Sequence, residues 1–260
     1  MVNLSGLSGL TNSLGKCRLL STRLVGKVDG VLRQALPGRC DFCLSVRCQK
    51  SPAGVRPWCT SCHETLPWNL PACPGCAEPQ HGQLSGRRCG ACLALPPSFD
   101  RARVPLIYRD EVAGLIQRFK FHASPRAGSV LLELLMGALP DEALRWPEAL
   151  MAVPLHPARA RQRGFDQAEW LASRLSRQLG VGQCRATRLR DTRSQRGLDR
   201  PERRRNLRGA FRVAGPLPGR LVLIDDVMTT GATLDALALA CQRAGAREIE
   251  VWACARTPLD

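Results

Sequence analysis

From Phe99 onward, short mostly apolar runs alternate with amphipathic stretches, and upstream of it that alternation is missing. The runs Arg103 to Tyr108, Ala149 to Leu155, Cys184 to Leu189, Leu221 to Asp225 and Ile249 to Ala255 have strand length and predict β-strands. Between them, Glu111 to Phe121, Val130 to Leu139, Asp166 to Leu179 and Thr233 to Ala244 carry apolar residues at helical spacing and predict helices. Strands alternating with helices predict an α/β fold, a parallel sheet joined by right-handed crossovers. The change of pattern places a domain boundary near Pro97 and leaves about 160 residues for the sheet domain, ample for one core.

The upstream part is organised by cysteine instead. Of 13 cysteines, eight form Cys40-x-x-Cys43, Cys59-x-x-Cys62, Cys73-x-x-Cys76 and Cys89-x-x-Cys92, with prolines and glycines within and between the pairs. A two-residue gap lets both thiolates of a turn face one tetrahedral ion, and two such turns close a structural four-thiolate site. The pattern predicts a small double zinc ribbon over 40–98 that needs its metal to fold. The simplest pairing puts Cys40, Cys43, Cys59 and Cys62 on one zinc and Cys73, Cys76, Cys89 and Cys92 on another. Interleaved pairing and a single filled site are the alternatives. Cys48, His63 and His81 are read as bystanders, and Cys17, Cys184, Cys241 and Cys254 as inert thiols. Residues 1–39 form a tail whose Leu20, Leu24, Val28, Val31 and Leu32 fall near helical spacing, an amphipathic helix expected to pack on the body of the protein.

Composition narrows the function. Hydrophobic residues make up 44% and charged residues 23%, as in globular proteins, and no apolar run approaches the roughly 18 residues of a membrane helix. No secretory signal is read at Met1 to Gly15, so the cytoplasm is the expected compartment. Lys plus Arg is 38 against 22 acids, for +16, and all but Lys16, Lys27, Lys50 and Lys120 are arginines. Guanidinium forks match phosphate oxygens, which favours a phosphorylated or polyanionic partner, although a genome rich in G and C also raises arginine.

The sharpest chemical feature is Leu221-Val-Leu-Ile-Asp225-Asp226-Val-Met-Thr229-Thr230-Gly231-Ala232-Thr233. An apolar strand ends in two adjacent carboxylates at its exposed carboxyl end, and a Thr- and Gly-containing turn opens the next helix. Backbone N–H groups of such a turn and the positive helix end make an anion nest, and the acids can accept from ribose hydroxyls.

This stretch resembles the thirteen-residue 5-phosphoribosyl 1-pyrophosphate (PRPP) motif of type I phosphoribosyltransferases. The wider pattern is similar to the ComF family of competence-associated, amidophosphoribosyltransferase-like proteins, over about Cys40 to Thr257. It includes Phe119-Lys120-Phe121, Val153-Pro-Leu-His156-Pro, Arg163-Gly164-Phe165-Asp166-Gln167 and the segment ending Asn206-Leu-Arg-Gly-Ala-Phe211. Asp166 departs from the Asn expected there.

The resemblance implies a type I phosphoribosyltransferase core over 99–260, with the ribbons in place of the usual substrate-covering hood. Asp225 and Asp226 would hold the ribose, and Thr229, Thr230, Gly231, Ala232 and Thr233 the 5′-phosphate. His156, Arg159, Arg163 and Gly164 would meet pyrophosphate. Thr192 and Gln195 belong to a flexible loop, Asp191 to Asn206, with Arg190 at its edge, within the stretch Arg185 to Arg212 where 11 arginines face three acids. Lys120 either reaches a ligand phosphate or lies on the surface. PRPP and Mg²⁺ are the implied ligands beside zinc. Single-stranded DNA, DNA-uptake proteins and a second copy of the chain are the candidate partners. The expected activity is phosphoribosyl transfer, and its alternative is a non-catalytic PRPP-sensing or nucleic-acid-binding competence factor.

Overall fold

A computed structural model describes residues 39–46, 50–51, 54–80, 86–155, 164–189 and 209–259. The chain divides into two compact units, Met1–Thr65 and Leu66–Asp260, so the division falls between the two cysteine groups. The upstream amphipathic helix, Cys17, Cys48 and His81 lie outside the described residues.

In the first unit, β1 (Lys50–Ser51) and β2 (Gly54–Val55) pair antiparallel, and α1 (Thr60–Thr65) follows. Its small core includes buried Trp58, whose ring stacks on His63 at 5.5 Å.

The second unit opens with its cysteine group and α2 (Gly90–Ala94), then β3 (Arg101–Arg103), β4 (Leu106–Ile107), α3 (Asp110–Phe121), α4 (Pro125–Ala138), α5 (Asp141–Arg145) and β5 (Ala149–Ala152). It continues through α6 (Gln167–Leu179), β6 (Gly182–Cys184), β7 (Ala186–Arg188), β8 (Phe211–Val213), β9 (Arg220–Met228), α7 (Ala232–Arg243) and β10 (Glu248–Arg256). The sheet runs β3–β10–β9–β5–β6 with every pairing parallel, and β4 extends the β3 side of β10. Parallel strands covered on both faces are continuous apolar runs, and Leu221, Val222, Leu223 and Ile224 of β9 are all fully buried. Leu221, Leu223, Met151, Ile249 and Val251 share one core with Leu234, Leu237 and Cys241 of α7. This is the expected fold class, a parallel sheet flanked by helices with four-cysteine groups ahead of it. No helix among the described residues is long and apolar enough to cross a membrane.

Three expected strands differ in detail. Arg103 to Tyr108 is two strands, broken around Pro105, which has no N–H to donate. Cys184 to Leu189 divides at Arg185: β6 joins the parallel sheet, while β7 pairs antiparallel with β8. The run from Leu221 does not stop at Asp225. It continues to Met228, because Val227 and Met228 register against Ala255 and Arg256 of β10. The acids therefore sit inside the ladder, and Asp226 is only 6% exposed, not at an open strand end.

Candidate functional site

The cysteine groups are built alike. In the first, Leu44 N–H donates to Cys40 O at 2.9 Å and Cys40 N–H to Ser45 O at 2.8 Å; in the second, Ala77 N–H donates to Cys73 O at 2.7 Å and Cys73 N–H to Glu78 O at 2.8 Å. Leu44 and Ala77, one residue past the second cysteine of each turn, both take positive φ. The closing pairs, Cys59/Cys62 and Cys89/Cys92, start short helices. The thiols fall into the two groups of the simplest pairing, and within each group the sulfurs lie within 4.8 Å of one another. Cys43 Sγ is 3.7 Å from Cys59 Sγ, and Cys76 Sγ is 3.6 Å from Cys89 Sγ. Four bonds of about 2.3 Å to a tetrahedral zinc would separate the sulfurs by ~3.8 Å, so both groups fit such an ion.

Electrostatics follow the same plan. Burial works to raise the Cys40 thiol, but backbone N–H groups of Cys43, Cys59 and Phe42 outweigh it and bring it down to about 7. At Cys73 burial is again outweighed, by the N–H groups of Cys89, Cys76 and Gly75, and the thiol falls to about 7. Each group thus favours a thiolate at its first cysteine before any metal contributes.

The second constellation lies at the carboxyl end of β9. Asp226 N–H donates to Asp225 Oδ1 at 2.8 Å, and Lys120 Nζ is 3.1 Å from Asp226 Oδ1. Burial, then the Asp226 charge, push the Asp225 carboxyl up to about 8, against the opposing pull of Lys120. Lys120 comes from the last turn of α3 and is fixed there by the start of α6. Gln167 Nε2 donates to its carbonyl at 3.1 Å, and the Phe165 ring meets Phe119 edge-on at 5.4 Å. Three sequence segments, Phe119–Phe121, Gly164–Gln167 and Asp225–Asp226, are thereby brought together.

Beyond the acids, Gly231 (φ 75°) is the N-cap of α7. Its left-handed backbone is open to glycine and costly for a side-chain residue, and a Cβ there would meet Met228 Cε at 2.7 Å. Thr229 is exposed and Thr230 half-buried, while Gly231 and Ala232 are buried beneath them. A pocket beside this turn is lined by Cys76, Pro97, Phe99, Met228, Thr230 and Gly231. Of the expected pyrophosphate residues, Gly164 is described, exposed and left-handed at φ 63°; His156, Arg159 and Arg163 lie outside the described residues. So do Arg190, Thr192 and Gln195.

Three residues have roles that escaped the sequence reading. Asp166 caps α6, accepting from Glu169 N–H at 3.0 Å. Burial, with the charges of Glu169 and Asp226 also pushing upward, raises its carboxyl despite hydrogen bonds from the N–H groups of Glu169 and Leu155. Its place before a helical run was the available signal for a cap. The other two, Arg256 and Glu78, form an ion pair in which the arginine side chain is 1% exposed. A cation closing a mostly apolar strand was visible in the sequence; its partner 178 residues away was not.

The chain is 36% identical over 208 residues to Competence protein F of Haemophilus influenzae, covering 76% of this chain and 90% of that protein. It is 34% identical over 235 residues to DNA utilization protein YhgH of Escherichia coli (strain K12), covering 85% and 98%. With Competence protein ComFC of Streptococcus pneumoniae it shares 27% over 157 residues, 59% of this chain and 67% of that protein. No family model matches the chain. Among solved structures, adenine phosphoribosyltransferase from Thermoanaerobacter pseudethanolicus is similar at a TM-score of 0.35 and 16% identity, over 52% of this chain and 84% of that one. Purine phosphoribosyltransferase from Pyrococcus horikoshii is similar at 0.32 and 19%, over 50% and 83%. At those scores the likeness carries no argument.

Proposed function

The chain belongs to the ComF family, that of Competence protein F and YhgH, and on that premise we propose that it binds PRPP with Mg²⁺ and transfers its phosphoribosyl group to an acceptor. The observation that carries this reading is the carboxyl end of β9: two adjacent acids, a turn with a left-handed glycine, and a helix start, in unbroken succession. In the proposed complex the turn 229–233 presents N–H groups and threonine hydroxyls to the 5′-phosphate. Asp225 and Asp226 accept from the ribose hydroxyls and from the water shell of Mg²⁺, whose charge would favour departing pyrophosphate. The ammonium lying on Asp226 supports a carboxylate placed to pair with a cation. The place of Lys120 beside the acids supports the reading in which it meets a ligand phosphate.

Gly164 and the arginines before it would take the pyrophosphate, and the segment around Arg190, Thr192 and Gln195 would close over the ligand and exclude water. Catalysis in this reading rests on positioning and charge stabilisation rather than on a nucleophile. Both cysteine groups hold structural zinc, a use of paired cysteines expected in a reducing compartment such as the cytoplasm.

The names of the relatives favour a second reading, a competence or DNA-handling factor that keeps PRPP binding as a sensor. Calorimetric titration of the full chain with PRPP and Mg²⁺, followed by pyrophosphate release with bases, ammonia and nucleic acid, separates the two. Binding with release supports transfer. Binding without release favours the sensor, and no binding overturns both.

A further inference from the structure

Arg256 is the last residue of β10, wholly buried, and its guanidinium is spent on groups that are distant in sequence. Nε donates to Cys76 O at 3.1 Å, and Nη2 pairs with Glu78 Oε2 at 2.5 Å, both beside the second cysteine group. Nη1 donates to Met228 O at 3.2 Å and also to the carbonyls of Thr229 and Thr257. Glu78 is held in turn, since its Oε1 accepts from Leu259 N–H at 2.8 Å.

A buried guanidinium is costly unless its donors are satisfied. Satisfying this one uses the main chain of the cysteine group and of the strand-to-helix turn at once. Peptides are planar and trans, so a carbonyl held toward Arg256 turns the N–H of the same peptide the opposite way. Fixing Met228 O and Thr229 O therefore aims the N–H groups of Thr229 and Thr230 away from the guanidinium. Among the described residues, no backbone carbonyl accepts from Thr229, Thr230 or Gly231 N–H. Those donors are the ones the turn offers to an anion.

We propose that Arg256 is a positioning residue that joins the second cysteine group to the turn 228–231, so that a metal-filled group and a phosphate-ready turn support one another. The inference rests on the PRPP reading of the turn. Coupling of this kind is reciprocal: metal in the group tightens ligand at the turn, and ligand at the turn slows loss of the metal.

The test uses the full zinc-loaded chain and its Arg256→Met, Arg256→Lys and Glu78→Gln variants, with three readouts. These are PRPP·Mg²⁺ affinity, the rate of zinc release to a chromogenic chelator with and without PRPP, and, without ligand, amide exchange at Thr257, whose N–H donates to Met228 O, and at Ala77, whose N–H donates to Cys73 O. In the parent, PRPP should slow zinc release. In Arg256→Met, affinity should fall about tenfold, as expected for losing hydrogen bonds from a charged donor. Protection of zinc by PRPP should vanish and exchange at Thr257 and Ala77 should quicken. Arg256→Lys, which keeps the charge but not the span, should fall between. Unchanged exchange and unchanged affinity in Arg256→Met overturn the proposal. Should that variant fail to fold, Glu78→Gln decides by the same readouts. A parent that binds no PRPP defeats the function instead, and exchange at Thr257 and Ala77 then decides this inference alone: quickening in Arg256→Met supports it, and no change sinks it.

Discussion

The two cysteine groups share a turn, a helix start and a lowered first thiol, yet they have different neighbours. In Cys40-Asp-Phe42-Cys43 the third position carries a phenylalanine, and Cys43 is exposed. In Cys73-Pro-Gly75-Cys76 that position is glycine, and a Cβ on it would stand 3.2 Å from Cys92 Sγ. Cys73, Cys76 and Cys92 share a core with Leu221 and Leu223 of β9 and Leu237 of α7. Ala102 N–H also donates to Pro74 O at 2.9 Å, and Asn69 Nδ2 bridges Ala77 O and Val104 O at 2.9 Å each. Identical ligand chemistry can thus close a small unit by itself or serve as one wall of a larger core, and the difference lies in what packs around the sulfurs.

The sharpest way to break that comparison is to remove each group in turn. Structural zinc contributes on the order of 10 kcal/mol in zinc-finger peptides, and the second group shares its core with the sheet. Cys73→Ser with Cys76→Ser should therefore collapse the folded yield of the whole Leu66–Asp260 unit. Cys40→Ser with Cys43→Ser should lose one zinc and leave the main thermal transition within a few degrees of the parent, a shift of about 1 kcal/mol at most. Equal losses from both pairs would show that the groups are equivalent after all.

The next effect belongs to the acids of the second unit and should leave both groups loaded with zinc. A hydrogen bond to a charged group contributes roughly 1.5–3 kcal/mol, so losing the Asp226 carboxylate in Asp225→Asn with Asp226→Asn should weaken PRPP binding at least about tenfold, read by calorimetry. The double change also leaves Lys120 without its ion pair. Stability carries a pH signature as well. With its carboxyl raised from 3.8 to about 8, folded Asp225 holds a proton that the unfolded chain has lost. Its contribution to stability therefore falls as pH rises from about 4 to about 8, then levels off. Urea midpoints across that range should be flatter for Asp225→Asn than for the parent.

The smallest effect tests the glycine. Gly75→Ala crowds a buried thiolate and should cost about 1 kcal/mol, whereas Phe42→Ala in the first group meets no such constraint. Zinc affinity by chelator competition should drop for the former and hold for the latter.

Sequence carried the strand, the acids, the turn and the helix of the candidate site because they are contiguous and each obeys a local rule. It also grouped the thiols, since a two-residue gap dictates the turn. It misplaced the strand end, because a switch from apolar to acidic residues reads as exposure, while the ladder with Ala255 and Arg256 keeps the chain extended. It could not divide Cys184 to Leu189 either, because the partner of β7 arrives only at Phe211. Arg256 and Glu78 meet only after the whole sheet has assembled, so no local pattern announces them. That one cysteine group would join the sheet core was equally hidden, since both are written in the same spacing.

The extension of β9 to Met228 has a temporal consequence. Asp225 registers with Ala253 and Val227 with Ala255, so the acids are bracketed by rungs of a central parallel pairing instead of riding on a loop. Central strands open to solvent mostly through global unfolding, whereas loops open locally and often. The spacing and direction of the two carboxylates should therefore persist for as long as the sheet itself stays closed, and adjustment to different ligands falls to the segments around them.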